Sequence, residues 1–138
     1  MKIQIQPVGR ISNKGESTII EIYPEYSKAL LGLEAFSHIM VFCWFHKNDR
    51  PEKRKTLQVH PMKNKNKPRT GVFATRSPQR PNLIAIFMCV LKEIRENRIS
   101  VEKIDAFDGT PVIDIKPYIP HNDSVPNARI PKWVKEGE

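Results

Sequence analysis

The stretch HIMVFCWFH, residues 38–46, is almost wholly apolar between two histidines. A short apolar run of this kind predicts a strand that is buried on both faces. Residues 17–22 (STIIEI) are rich in β-branched side chains and predict a second strand. Residues 83–94 (LIAIFMCVLKEI) would also tolerate helical spacing, but their Ile, Phe and Val content and the preceding Pro81 favour a third strand.

Further short strands are predicted outward from these three, at residues 2–6 (KIQIQ), 57–59 (LQV), 71–75 (GVFAT), 97–104 (NRISVEKI) and 110–119 (TPVIDIKPYI). The pair Asp108-Gly109 predicts the turn between the last two. Residues 24–36 (PEYSKALLGLEAF) predict the one helix, which Pro24 can open. We therefore expect a mainly β fold, a small closed or nearly closed β-barrel with one or two short helices, because many short strands must hide their edges.

The length of 138 residues is most simply one domain. We expect a barrel domain over residues 1–120 and a polar, proline-broken C-terminal tail over residues 121–138 with no domain of its own. No stretch reaches the roughly 20 apolar residues of a membrane span, and the first ten residues lack the apolar block of a signal peptide. We expect a cytoplasmic protein in which Cys43 and Cys89 are reduced and buried.

Most of the net charge of +8 lies in one segment. Residues 47–69 contain nine lysines and arginines against two acids, which accounts for +7 of the +8. Such a segment is typical of polyanion binding, with nucleic acid the common partner, but a solvated loop that only keeps the protein soluble fits equally well. Because the segment has no aromatic residue, it would attract phosphates without reading a base sequence.

Several chemistries lack their motifs. The six glycines form neither GxGxxG nor GxxxxGK[ST], and there is no GxSxG elbow. Cys43 and His46 are three residues apart, so on a strand they point to opposite faces and cannot share a metal ion. The residues therefore support neither a Rossmann or P-loop nucleotide site nor hydrolytic or metal chemistry.

Two polar stretches remain. In TGVFATRSPQRPNLIA (70–85), prolines restrict the backbone around Arg76 and Arg80, and a fixed guanidinium suits carboxylates and phosphates. In IDAFDGTPVIDIKPYIP (104–120), Asp105 and Asp108 bracket the end of a strand and can accept hydrogen bonds from a ribose or an amine. Structural roles are open for both: the arginines can tie their loop to Asp105 or Asp114, and Asp108 can belong only to its turn.

These stretches resemble the TrmO (TsaA-like) family of S-adenosylmethionine-dependent tRNA methyltransferases. GLEAFSHIMVFCWFH (32–46) and PVGRI (7–11) match the family as well, and the likeness covers roughly residues 7–120. The resemblance implies a small β-barrel that binds S-adenosyl-L-methionine, forms a homodimer and methylates N6 of threonylcarbamoyladenosine beside the anticodon of tRNA. It agrees with the missing GxGxxG.

The resemblance also implies site residues. The residues that match its cofactor contacts are His46, Lys47, Arg76, Ile86, Lys103, Ile104 and Asp105. Asp105 is in addition the candidate catalytic group, since the attacked nitrogen must lose a proton, although water can also take it. No residue is assigned to a metal. The basic segment is expected to meet the phosphates of the anticodon stem-loop.

The sequence departs from the family pattern at RPNLIA, where members usually read RPNPIG, and at the short turn SNKGE (12–16). Leu83 and Ala85 replace a proline and a glycine, and the extra C-terminal domain of better-studied members is not found in these residues. Two alternatives therefore stay open: a barrel that binds S-adenosylmethionine or RNA without turnover, and a methyltransferase for another RNA or a small substrate.

Overall fold

The structure is a computed structural model and describes residues 1–134. The chain divides into two compact units, one formed by residues 1–46 and 84–118 and the other by residues 47–83 and the chain from residue 119. The second unit therefore contains the whole connection between two barrel strands. Among the described residues, no helix is long and apolar enough to cross a membrane.

The first unit is a closed antiparallel barrel of six strands in the order β1-β2-β7-β6-β3-β8. These strands are β1 (Gly9–Ser12), β2 (Ser17–Ile22), β3 (His38–Trp44), β6 (Ile84–Arg95), β7 (Arg98–Glu102) and β8 (Pro111–Pro117). The predicted mainly β barrel is confirmed. Closure pairs every strand on both sides, so the unit hides its edges as the strand count requires.

The barrel core is built from alternate residues of each strand. Along β2, every second side chain is buried, and β3 buries Ile39, Val41 and Cys43 while the residues between them stay partly exposed. The prediction that residues 38–46 are buried on both faces was wrong. A barrel strand has only one inner face, and the outer face of β3 is only partly buried.

The antiparallel order brings six strand ends to the same end of the barrel. Strands β1, β7 and β3 end there, and β2, β6 and β8 begin there, as the pairs Ser12–Ile19, Ser17–Glu102 and Trp44–Ile84 show. We call this end of the barrel the rim. The turn 13–16, the segment 103–110 and the start of β6 all belong to it.

Two predicted elements differ. Residues 2–6 form no strand, and Ile3 and Ile5 are 81% and 51% exposed. Strand β1 pairs with β8 only at Gly9 and Arg10, and the Val8 N–H before it still donates to the Val112 carbonyl at 2.7 Å, whereas residues 2–6 pair with no strand. Residues 24–36 form two 3₁₀ helices, Pro24–Leu30 and Leu33–Ala35, because Gly32 between them has a φ of 90°.

The second unit contains short elements only. Strands β4 (Gln58–Val59) and β5 (Thr70–Gly71) pair with each other. The single helical turns are α1 (Pro51–Arg54) and α2 (Pro120–Asp123). The 3₁₀ turns are His46–Asn48, Pro61–Lys63 and Val72–Ala74, and the first of them begins at the last residue of the first unit. The predicted strand at 71–75 is therefore mostly a 3₁₀ turn, while LQV is a two-residue strand. The tail predicted over 121–138 lies partly outside the described residues.

Candidate functional site: an exposed arginine, a braced loop and the barrel rim

The loop after Val72–Ala74 is held by Arg80. Its Nη1 donates hydrogen bonds to the carbonyl oxygens of Thr75 (3.1 Å) and Ser77 (3.0 Å). The Ser77 hydroxyl in turn accepts a hydrogen bond from the backbone N–H of Gln79 at 3.1 Å. Charged donors to carbonyl oxygens are among the stronger hydrogen bonds of a folded protein. Arg80 therefore has a structural role, but it braces its own loop and does not tie that loop to Asp105 or Asp114.

Arg76 differs from Arg80 in its exposure and in its hydrogen bonding. Its side chain is exposed, and within residues 1–134 it makes no hydrogen bond and no ion pair. It lines a cavity of about 580 Å³ together with Phe73, Ala74, Thr75 and Val134. A guanidinium without a partner at a cavity wall, on a loop that a second arginine holds rigid, can receive a carboxylate or phosphate bidentately.

On the barrel rim, Asn13 connects the turn after β1 with the segment after β7. Its Nδ2 donates to the carbonyl oxygens of Ile104 (3.0 Å) and Ala106 (2.6 Å), and its backbone N–H donates to Oδ1 of Asp108 (2.8 Å). Its Oδ1 accepts a hydrogen bond from the Thr18 hydroxyl at 2.7 Å. One asparagine side chain thus uses its donors and its acceptor to fix the path of residues 104–108.

The predicted contact residues Lys103 and Ile104 take part in this same network. Lys103 Nζ donates to the carbonyl oxygens of Gly15 (2.8 Å) and Asn13 (3.3 Å), and the Ile104 N–H donates to the Thr18 hydroxyl at 3.1 Å. The ammonium group of Lys103 is therefore engaged with the turn 13–16 in this structure. The group of this segment that a ligand could reach directly is the carboxylate of Asp105, the next residue in the chain.

Asp105 and Asp108 have different surroundings. The carboxylate of Asp108 accepts the Asn13 N–H, and Gly109 has a φ of 85° in the turn that the Thr110 N–H closes on the Phe107 carbonyl at 3.1 Å. The predicted turn is confirmed, and Asp108 belongs to it. Asp105 is exposed, and its carboxylate makes no hydrogen bond or ion pair among the described residues. It is the rim carboxylate that can accept a proton or a hydrogen bond from a ligand.

The remaining predicted contacts are distributed over both units. His46 follows β3, and Ile86 lies on the outer face of β6 opposite Phe42 with 42% of its surface exposed. The rim thus brings His46 and Ile86 to the same end of the barrel as residues 103–105. Lys47 and Arg76 belong to the second unit, where Lys47 is exposed. The assignment of all seven as cofactor contacts stays a prediction.

Leu83 and Ala85, which replace the proline and the glycine of the family pattern, are both packed in the protein interior. Leu83 is fully buried, and Ala85 is 5% exposed and belongs to the barrel core beside Cys43. The methyl group of Ala85 therefore points into the barrel and away from its outer surface. Both residues therefore contribute to the packing of the protein interior.

The basic segment 47–69 presents most but not all of its cations. Its two acids are paired with arginines, Asp49 with Arg54 at 3.4 Å and Glu52 with Arg50 at 3.3 Å. Lys67 is only 7% exposed, so it is not available to a polyanion. Lys55, Lys63, Lys65 and Arg69 are exposed and form the surface that can meet phosphates.

Asn13 and Lys67 are the functional candidates that the sequence did not indicate. Three partners of Asn13, which are Ile104, Ala106 and Asp108, lie 91 to 95 residues away, and no local pattern marks such contacts. The turn residues SNKGE carry the only available signal, since asparagine favours turns. A buried lysine inside a lysine-rich segment has no sequence signal at all.

One family model and several known proteins match most of this chain. A family model described as the tRNA-methyltransferase O N-terminal domain matches residues 3–124. A probable S-adenosyl-L-methionine-binding protein of Methanocaldococcus jannaschii is 46% identical over 112 residues, which are 81% of this chain and 89% of that protein. A human tRNA (adenine(37)-N6)-methyltransferase is 43% identical over 108 residues, which are 78% of this chain and 23% of that protein.

Among solved structures, TrmO from Pseudomonas aeruginosa superimposes with a TM-score of 0.72 at 30% identity. The match covers 94% of this chain and 62% of the TrmO chain, so this chain spans less than two thirds of that structure. The likeness at this identity extends to the closed barrel and to the connection that carries Arg76.

Proposed function

The chain belongs to the TrmO family, and on that premise we propose that it is an S-adenosylmethionine-dependent tRNA methyltransferase. Its substrate position would be N6 of threonylcarbamoyladenosine next to the anticodon. The observation that carries the proposal is the contrast between two neighbouring arginines. The Arg80 guanidinium donates hydrogen bonds to its own loop. The Arg76 guanidinium is exposed at a cavity and has no partner among the described residues.

The residues present fit a nucleoside that carries an amino-acid carboxylate. Arg76 supplies a guanidinium fork for the carboxylate, and Phe73, which is 85% exposed on the same cavity, supplies a ring face for a base. The resemblance assigns further cofactor contacts to His46, Ile86 and residues 103–105, which belong to the barrel unit. When bound, S-adenosylmethionine supplies an electrophilic methyl group to an amine nitrogen and leaves as S-adenosylhomocysteine.

The protein's own task in this chemistry is positioning and proton removal. Holding donor and amine in line is worth several kcal/mol without any protein nucleophile. The attacked N6 must lose its proton, and the exposed carboxylate of Asp105 can accept it. Asn13 fixes the backbone on either side of Asp105 and thereby sets where that carboxylate stands. The absence of a nucleophile motif in the sequence is what this reaction permits.

A tRNA partner is supported by the exposed cations of residues 47–69. The target adenosine lies in a single-stranded loop, so it can enter a pocket without melting a duplex. Lys55, Lys63, Lys65 and Arg69 would contact the phosphates of the stem-loop. These contacts would place the RNA without reading its bases, because the segment has no aromatic side chain.

The test is a methyl-transfer assay with the full chain, methyl-labelled S-adenosylmethionine and tRNA from a strain that lacks the gene, followed by nucleoside analysis. We expect label in N6-methylated threonylcarbamoyladenosine and none in tRNA that lacks the threonylcarbamoyl group. Label in plain adenosine of the second tRNA would move the proposal to another substrate. Donor binding with no label in any nucleoside would support the non-catalytic alternative.

We further propose that the protein forms the homodimer that the resemblance implies. Strand β6 carries Ile84, Ile86 and Met88 on its outer face, and these are 45%, 42% and 50% exposed. A row of three large apolar side chains on one strand is typical of a protein interface, and a second copy is the proposed occupant. Met88→Glu should convert a dimer into a monomer in analytical ultracentrifugation, whereas a monomeric parent would contradict the proposal.

A further inference from the structure

The chain beyond the family match continues as an ordered tail on the second unit. The family model ends at residue 124, and residues 125–134 follow it. The tail forms two turns, with the Ala128 N–H on the Val125 carbonyl at 3.2 Å and the Val134 N–H on the Pro131 carbonyl at 3.1 Å. Only Trp133 and Val134 in this tail are partly buried, so these two residues are where it contacts the unit.

The indole ring of Trp133 makes a cation–π contact with Lys67. The Lys67 Nζ lies 5.8 Å from the centroid of the Trp133 ring, and its other contact is the Met62 sulfur at 3.6 Å. An ammonium group that is this deeply buried requires compensation, and the face of an indole ring is the best aromatic source of it. The ring and the ammonium therefore depend on each other.

The lysine is itself held in a fixed loop. The Lys67 N–H donates to the Asn64 carbonyl at 3.0 Å, and the Lys67 carbonyl accepts a hydrogen bond from His60 Nδ1 at 2.9 Å. With its backbone fixed at both polar groups, Lys67 can act as a stationary anchor for Trp133. The residue next to this anchored ring is Val134.

Val134 lines the cavity of about 580 Å³ that also contains Arg76 and the exposed ring of Phe73. We propose that the tail completes the donor-binding site around Arg76, with Val134 as a wall and the Trp133–Lys67 contact as the anchor that holds this wall in place. The inference rests on the proposed function, since it assigns S-adenosylmethionine to this cavity. It gives the segment outside the family match a binding role.

The first experiment is calorimetric titration of S-adenosylmethionine into the full chain and three tail variants. Trp133→Ala removes the anchor and should weaken donor binding at least about tenfold. Ile130→Ala is the matched control in the same tail, where the side chain is 45% exposed and lines no part of the cavity, and it should change the affinity less than about twofold. Trp133→Phe keeps a ring over the ammonium and should recover most of the loss.

The second experiment removes the other half of the anchor. Lys67→Met keeps a long apolar side chain but loses the ammonium, and it should weaken donor binding about as much as Trp133→Ala does. Lys28→Met removes an exposed lysine from a 3₁₀ helix of the barrel and should leave the affinity unchanged. Circular dichroism should show a folded barrel in both Trp133→Ala and Lys67→Met, because the barrel core contains none of these residues.

The outcomes separate this inference from the function it rests on. Wild-type affinity in both Trp133→Ala and Lys67→Met, with binding lost in Arg76→Ala, would overturn the role of the tail and leave the proposed function intact. No donor binding by the wild-type chain would instead contradict the proposed function, and the role of the tail in donor binding with it. Loss in both anchor variants with retention in both controls supports the inference.

Discussion

The barrel and the connection between β3 and β6 differ in charge, in strand content and in apolar core. The barrel segments, residues 1–46 and 84–118, contain nine lysines and arginines against ten acids, whereas residues 47–83 contain eleven against two. The barrel holds six paired strands and the main apolar core, while the connection holds two strands of two residues each. The barrel accounts for the fold, and the connection supplies the charge and Arg76.

This division explains which parts of the structure could be predicted. The strands at 17–22 and 83–94 were predictable because β-branched and aromatic side chains favour strands, and that composition is visible in the sequence. Residues 2–6 alternate apolar and polar side chains but pair with no strand, and alternation cannot supply a partner. The helix at 24–36 failed at Gly32, whose φ of 90° interrupts it.

The candidate site was predictable only in part. The prolines around Arg76 and Arg80 indicated a stiff loop, but which guanidinium would be used inside it depends on the positions of the Thr75 and Ser77 carbonyl oxygens. Asn13 and Lys67 act through residues distant along the chain or through burial, and neither leaves a local pattern. A sequence indicates which residue types are available, while the site depends on which of them the fold leaves without partners.

The largest effect is expected from Gly9→Ala in the barrel. A Cβ at this position would overlap the carbonyl oxygen of Glu21 on the neighbouring strand, and that backbone cannot move without disturbing the β1–β2 ladder. We expect a loss of about 3 kcal/mol in the free energy of unfolding, or roughly 10 °C in melting temperature. Gly15→Ala, whose Cβ would have no atom within 4 Å, is the control. Equal melting temperatures for both variants would contradict the importance of this ladder.

The next effect concerns the two thiols inside the barrel. Burial raises the pKa of Cys43 to about 12, with the nearby Cys89 adding to the shift, and burial raises that of Cys89 to about 11. The unfolded thiols ionise near 9.0, so between pH 9 and the folded pKa values the native state binds more protons. The contribution of the two buried thiols to the free energy of unfolding should therefore be fully present below pH 9 and should fall as the pH rises above it.

From pH 9 to pH 10 this loss should be about 1 kcal/mol per thiol, measured as a fall in the urea midpoint. The double variant Cys43→Ala and Cys89→Ala is the control and should show a flatter pH dependence over the same interval. The same pH dependence in both proteins would show that the barrel interior does not protect the thiols.

A smaller effect is expected from Asn13→Ala on the rim. The change removes the side-chain hydrogen bonds to Ile104, Ala106 and Thr18, and it should cost about 1.5 kcal/mol of stability. Because residues 104–108 lose their fixed path, kcat for methyl transfer should fall more than KM rises. The control is Asn127→Ala, an exposed asparagine of the tail. A loss of stability with unchanged kcat would assign Asn13 to the fold alone.

The smallest effect tests the charge of the connection. Changing Lys63 and Lys65 together to Ala should lower the slope of log affinity for tRNA against log salt by about two, with little change in melting temperature. Lys28→Ala, an exposed lysine of the barrel, should leave the slope unchanged. If all three lysines had the same effect, the contact with RNA would not be confined to the connection.

The most direct test of the division between bracing and binding is to titrate S-adenosylmethionine calorimetrically into Arg76→Ala and Arg80→Ala and to melt both proteins. Arg76→Ala should bind the donor roughly a hundredfold more weakly at an unchanged melting temperature, because its guanidinium has no partner within the described chain. Arg80→Ala should melt several degrees lower, because its loop loses two hydrogen bonds. Wild-type donor affinity in Arg76→Ala would contradict the account.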